Sequence, residues 1–300
     1  MQSRVLISGA SGLIGSSVVR ALRANSIHPT KLVRRPVEPG EQALRWNPES
    51  QQESLPGLNH LDGAIHLSGA NVAAQRWTEA YKKVILKSRI ESTGTLCRLL
   101  AKMDSPPQVL VCASAIGFYG DRGDEAVDED SAPGVGFLPE VCKAWEAATR
   151  PAEEAGIRIA HLRFGVVLSP AGGALQKLRP LFRLGLGGRL GNGRQWMSWI
   201  SLRDTVSAIL RALEDPALAG AVNVTAPNPV TNAEFTQTLG KALHRPALLA
   251  VPAFALRLAV GEMADEGLLA SCRAVPAKLL SAGFFFEDPD LEPALRGMLR

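Results

Sequence analysis

The chain has 300 residues, 46% hydrophobic and 21% charged, which is enough for a sizeable core in one large α/β domain or two closely joined ones. A net charge of +4 and a pI near 9.0 suit anionic small ligands, and without a lysine-rich run or aromatic-basic interleaving no nucleic-acid partner is expected. Cys97, Cys112, Cys142 and Cys272 stand far apart with no C-x-x-C pair and the five histidines are scattered, so neither a disulfide frame nor a metal site is expected, and the thiols suit the cytoplasm.

Arg4-Val5-Leu6-Ile7-Ser8 reads as a short buried strand, which leaves no room for a secretory leader. Gly9-Ala10-Ser11-Gly12-Leu13-Ile14-Gly15 follows, and Ser16 to Ala24 reads as a helix with apolar Ile14, Val18, Val19 and Leu22. Strand, glycine turn and helix opening together make a dinucleotide-phosphate cradle. The glycines let backbone approach a pyrophosphate, and the helix start offers free N–H groups and partial positive charge. The second strand is expected at Thr30–Val33, followed by Arg34 and Arg35 where this fold faces the adenosine ribose. Basic residues there favour a 2′-phosphate, hence NADP(H) over NAD.

Residues 45–61 are polar and turn-rich and receive no assignment. Asp62 to Ala70 reads as a strand ending in small residues, with His66 a satisfied core histidine and Leu67-Ser68-Gly69 at the strand exit. A long helix is expected over Glu79–Met103. Val109 to Ser114 is the next strand, and Ser114 at its end is placed either to hydrogen-bond a reacting carbonyl or to cap the strand. Asp124–Asp130 reads as a solvated acidic loop, Glu140–Ala155 as a helix, and Ile157–Leu168 as a buried strand with its exit. Gly172–Gly193, glycine-rich and basic, reads as a mobile, solvated loop or as a clamp for a diphosphate or carboxylate. A short strand at Trp196–Leu202, a helix at Arg203–Leu213, a strand at Val222–Val224 and a helix capped by Thr231 or Asn232 complete the regular part. The apolar stretch around Pro252–Gly261 is too short, and too interrupted by Arg257, to span a membrane, so no membrane partner is expected.

With these stretches in place the chain resembles the atypical extended short-chain dehydrogenases/reductases known as epimerase family proteins, related to NAD-dependent epimerase/dehydratases and sugar nucleotide epimerases. The matching stretches are Gly9–Gly15, Leu67-Ser68-Gly69, Arg76-Trp77, Ser88-Arg89, Ser114–Gly120, Arg163–Leu168, Phe182–Gly188, Asn228–Phe235 and the tail Arg245 to Leu295. The resemblance implies a doubly wound parallel-sheet Rossmann fold with a smaller C-terminal substrate-facing part. It places the NADP-binding domain at 1–166, with 199–226 returning to it, and the substrate-facing part with the C-terminal extension at 167–300. The implied cofactor residues are Gly9, Ser11, Gly12, Leu13, Ile14, Gly15, Arg34, Arg35, Leu67, Ser68, Gly69, Arg89, Lys143, Phe164, Gly165 and Val166.

Catalysis in this fold normally uses Tyr-x-x-x-Lys, the lysine lowering the tyrosine pKa so that the phenol can trade a proton. Lys143 falls at the expected lysine place, but Pro139 stands where the tyrosine would be. Of two tyrosines in the chain, Tyr119 follows the serine strand and is the candidate acid, with Glu140, Cys142 and Asp121 nearby. Ser114, Lys143 and Tyr119 are therefore the candidate catalytic set. The expectation is an NADP(H)-dependent oxidoreductase or epimerase acting on a small alcohol or ketone, sugar nucleotides among the candidates. The alternative is a non-catalytic, redox-responsive NADP(H)-binding protein. The aromatic run Phe284-Phe285-Phe286 is placed either to seal the pocket or to pack a homodimer.

Overall fold

The structure is a computed structural model that describes residues 4–50, 54–58 and 60–299. Its centre is a parallel sheet of seven strands: β1 (Arg4–Ser8), β2 (His28–Val33), β3 (Ala43–Arg45), β4 (Gly63–His66), β5 (Val109–Ala115), β6 (Arg158–Phe164) and β7 (Gly220–Val224). The spatial order is β7-β6-β5-β4-β1-β2-β3. The chain builds outward from β1 to β3, then returns to the other side of β1 with β4. That reversal opens a crevice at the carboxyl ends of β1 and β4, where ligands collect in such sheets.

Both faces of the sheet are covered, which explains why its strands read as nearly continuous apolar runs. One face packs Ile7, Ile65, Val111, Leu162 and Val222 against α1 (Leu13–Ala24) and α6 (Leu202–Glu214). The other packs Leu6, Ala64, Leu110, Cys112 and Ile159 against α2 (Glu79–Ala101) and α4 (Arg150–Glu154). The expected helix over 140–155 is two helices, α3 (Phe137–Ala147) and α4, parted by Thr149, whose hydroxyl turns back to the Glu146 carbonyl at 2.7 Å. The expected strand at 157–168 is likewise interrupted at Gly165. A Cβ there would lie 2.6 Å from the Ser198 carbonyl oxygen, so the chain needs glycine to pass that backbone.

Two further expectations are corrected. Residues 173–183 of the supposed loop form α5 (Gly173–Arg183), because Leu175 and Phe182 on one face enter a core with Leu168, Trp199 and Phe235. The acidic loop is not wholly solvated. Glu129 is buried, and its Oε1 accepts the backbone N–H groups of Asn223 (3.0 Å) and Lys278 (3.2 Å). Thr231 caps α7 (Asn232–Ala242) in a full capping box with Glu234. The tail folds back on the sheet: Leu279 and Phe286 join the core of β1, β4 and β5, while Phe285 stays exposed.

Candidate functional site

The glycine turn is shaped by two close approaches. Gly9 has φ +69°, and a Cβ on it would lie 2.6 Å from the Leu67 carbonyl oxygen, so the turn is pressed against the exit of β4. A Cβ on Gly15 would lie 2.2 Å from the Gly9 carbonyl oxygen, which fixes how tightly α1 can leave the strand. Gly12 is the N-cap of α1; it offers no side chain to that cap, and the first turn holds no acidic residue. The first-turn amides of α1 and its dipole therefore have no built-in anion. Gly172 lies against the side chain of Leu13, placing the start of α5 beside the cradle.

At the exits of β2 and β3 the structure separates the two predicted arginines. Arg35 is tied to Glu41 by an ion pair of 2.8 Å, and Lys31 meets the same carboxylate at 2.6 Å. Hydrogen bonds from Arg35 and Lys31 hold that carboxyl down to about 2. Arg34 has no carboxylate partner among the described residues. It lines a cavity of about 480 Å³ with Arg45, Trp46, Asn47 and Ser50. Arg45, which pairs in register with Val33 at the end of β3, was missed in the sequence because a three-residue edge strand carries too little periodicity to be seen.

Leu67, Ser68 and Gly69 follow β4, half-buried to exposed. Arg89 on α2 reaches over Gly69, donates to the Ala70 carbonyl at 3.1 Å and lies 4.8 Å from the Trp145 ring centroid. Burial pulls its pKa down, and no carboxylate pairs with it among the described residues. His66 is the satisfied core histidine expected: its ring nitrogens lie 2.7 Å from Ser8 Oγ and 3.2 Å from Ser92 Oγ, and burial lowers its pKa to about 3. Phe164, Gly165 and Val166 sit half-buried at the exit of β6. The Gly165 N–H is already bonded to Val224 O and the Val166 N–H to Ser198 O.

The polar residues at the exits of β5 and β6 are held in a chain of hydrogen bonds. Side chains alternate across β5, and Ser114 falls on the same face as Cys112, turned toward α3. Its buried hydroxyl donates to Glu146 Oε1 at 2.6 Å. Glu146 also holds Arg163 through two bonds of 2.9 Å. Arg163 Nη1 donates to the Tyr119 hydroxyl at 3.0 Å, and that hydroxyl donates to Asn223 Oδ1 at 2.7 Å. Tyr119 is 0% exposed, and burial raises its pKa to about 12 despite the adjacent guanidinium. A phenol so placed is a poor proton donor near neutral pH and has no open path to a substrate. Ala115, without a hydroxyl, ends the strand.

The remaining candidates are no better placed. Lys143 is exposed and its side chain makes no hydrogen bond or ion pair with another described residue, while Pro139, one turn before it, is buried against Gly120. Cys142 is buried, its thiol directed at the Ala115 carbonyl and pushed up to about 12 by burial. The side chain of Asp121 accepts the N–H groups of Gly123 and Ser271. The structure thus brings Ser114 and Tyr119 into one buried chain of hydrogen bonds and leaves Lys143 outside it.

Residues 5–225 match the NAD dependent epimerase/dehydratase family, and residues 251–298 match a domain of unknown function, DUF1731. Epimerase family protein Mb2239 of Mycobacterium bovis is 48% identical over 291 residues, covering 97% of this chain and 96% of its own length. The crystal structure of human epimerase family protein SDR39U1 (isoform 2) with NADPH superposes with a TM-score of 0.91 at 33% identity, over 99% of each chain. A nucleoside-diphosphate sugar epimerase from Corynebacterium glutamicum gives 0.82 at 35% identity, over 100% of this chain and 58% of that one.

Proposed function

This chain belongs to the NAD dependent epimerase/dehydratase family, and on that premise we propose that it binds NADP(H) across the exits of β1 and β4 as a redox-responsive protein rather than as a tyrosine-type oxidoreductase. The observation that carries the reading is the contrast within the site. The groups suited to the anions of the cofactor stand unpaired, while the hydroxyls suited to proton transfer are consumed in the Glu146–Arg163 network. The first-turn amides of α1 and the turn Gly9, Ser11, Gly12, Leu13, Ile14 and Gly15 suit a pyrophosphate. Arg34, joined by Arg45 rather than Arg35, suits the 2′-phosphate. Leu67, Ser68 and Gly69 form the floor, Arg89 adds a cation beside Gly69, and Phe164, Gly165 and Val166 bound the far side. In this division the cofactor part is 1–166 with 199–226, and 167–300 faces the remaining ligand. The four free buried thiols suit a reducing compartment such as the cytoplasm.

NADP(H) supplies hydride exchange at nicotinamide C4. Turnover of a small alcohol or ketone, sugar nucleotides included, is the second reading. It is favoured by one observation: Lys143 is exposed and uncommitted at the expected spacing on α3.

The test measures NADPH and NADH affinity in Arg34→Ala, Arg45→Ala and Arg35→Ala. The first two are expected to lose roughly tenfold or more for NADPH and little for NADH, as for lost charge-assisted bonds of about 1.5–3 kcal/mol, and the third to change neither. Equal losses for both cofactors would remove the 2′-phosphate assignment. Incubation with C4-deuterated NADPH in a metabolite extract then separates the two readings. A labelled product that disappears with Lys143→Ala establishes turnover; tight NADPH binding without product supports the redox-responsive role.

A further inference from the structure

Seven large apolar side chains are exposed in one region of the C-terminal part: Leu181, Leu184 and Leu186 at the end of α5 and just beyond, Leu248 and Leu249 at the start of the strand Leu249–Val251, and Phe254 and Leu258 on the helix Ala253–Val260. Leu248, Phe254 and Leu258 are 90%, 70% and 74% exposed. The stretches are joined to one another. Leu249 pairs with Gly188 in a two-stranded parallel ladder, Arg245 Nε donates to the Arg183 carbonyl at 3.1 Å, and Phe254 and Leu258 stand one turn apart on their helix. Isolated exposed leucines need no explanation, but this concentration does.

Its charge identifies the kind of partner. Residues 155–203 contain no Asp or Glu, and neither do residues 235–261, although the chain has 29 acidic residues. Arg183, Arg189 and Lys241 are exposed and pair with no carboxylate among the described residues; Arg245 donates only to backbone carbonyls. The nearest acids beyond the helix are committed, Asp265 to Arg257 at 2.9 Å and Glu262 to Lys82 at 2.9 Å. A second copy presenting the same face would set cation against cation. An apolar ridge flanked by unpaired Arg and Lys is instead the pattern of an element that lies on an anionic bilayer, its Phe and Leu side chains entering the acyl boundary and its cations meeting lipid phosphates. Among the described residues no helix is long and apolar enough to cross a membrane, and a surface of this kind needs none.

We propose that the face built from the end of α5, the strand Leu249–Val251 and the helix Ala253–Val260 docks on an anionic lipid surface. The inference rests on this surface alone and is independent of cofactor binding. Co-sedimentation with phosphatidylcholine vesicles, with and without phosphatidylglycerol, tests it. The full chain is expected to sediment with the anionic vesicles, to be released by high salt, and to stay in solution with phosphatidylcholine alone. The double variant Phe254→Ser with Leu258→Ser, and separately Arg183→Glu with Arg189→Glu, should each lower vesicle binding by about tenfold or more while NADPH affinity stays at the wild-type level, which establishes that the variants are folded. Failure to sediment, binding that ignores lipid charge, or binding that survives both variants overturns the proposal. So does a wild-type dimer in sedimentation velocity that the double serine variant splits, which would assign the face to a second copy of the chain.

Discussion

Two pairs of strand exits lie side by side in one sheet and have opposite characters. At β1 and β4 the backbone is drawn tight by Gly9 and Gly15, and the neighbouring helix start and Arg34 hold charge without a carboxylate to absorb it. At β5 and β6 every polar side chain is spoken for: Ser114, Glu146, Arg163, Tyr119 and Asn223 form one buried chain of bonds. The first exit is incomplete without a ligand. The second is complete in itself, and what it contributes is rigidity, since a buried ion pair with all its partners in place holds a single arrangement.

The largest expected effect attacks the complete region. Arg163→Met leaves the largely buried carboxylate of Glu146, 13% exposed, without its cation and should cost about 3–5 kcal/mol in urea unfolding. A loss below about 1 kcal/mol would mean that the network is slack and could open for chemistry.

The next effect sharpens the contrast from the other side, through pH. His66 is held neutral, with a folded pKa of about 3 against its usual 6.5. The unfolded chain therefore binds the extra proton first as pH falls, and stability present above 6.5 is lost between about 6.5 and 3. Between pH 7 and pH 5 the His66 contribution should fall by about 2 kcal/mol, a slope that His66→Gln should flatten. An unchanged slope in that variant would show that His66 is not the group responsible.

Gly15→Ala comes third. Its Cβ would meet the Gly9 carbonyl oxygen, so stability should fall by roughly 1–3 kcal/mol and NADPH affinity should drop with it as the turn is pushed open. Normal affinity in a folded variant would detach the cradle from the cofactor.

Tyr119→Phe is the mildest. It removes one hydroxyl shared by Asn223 and Arg163 and should cost about 1–2 kcal/mol, with cofactor affinity intact. A variant of wild-type stability that had lost a measurable turnover would return Tyr119 to a chemical role.

The difference between the exits also governed what the sequence could disclose. The glycine turn is a local device, with strand, turn and helix opening contiguous over Arg4–Ala24, and its geometry follows from residue type. The positions of the buried strands along the chain and the core role of His66 were legible for the same reason. The state of Ser114 was not, because two facts decide it that spacing does not carry: which face of β5 an even-numbered residue takes, and that Glu146, 32 residues away, meets it there. Tyr119 is further from view still, tied to Asn223 across 104 residues. That Glu41 claims Arg35 while Arg45 shares a cavity with Arg34 was equally out of view, and α5 was hidden by its glycines and Pro180 until Phe182 found a core.

Glu266 belongs to the C-terminal extension, yet its two carboxylate oxygens receive the N–H groups of Phe137 and Leu138 at 2.8 and 2.7 Å and so close the start of α3. Asp204 at the start of α6 likewise receives the N–H groups of Glu287 and Asp288. During synthesis, then, the start of α3 stays open until more than a hundred further residues have been made. A change that removes the Glu266 carboxylate therefore reaches back to the helix beside the central strand.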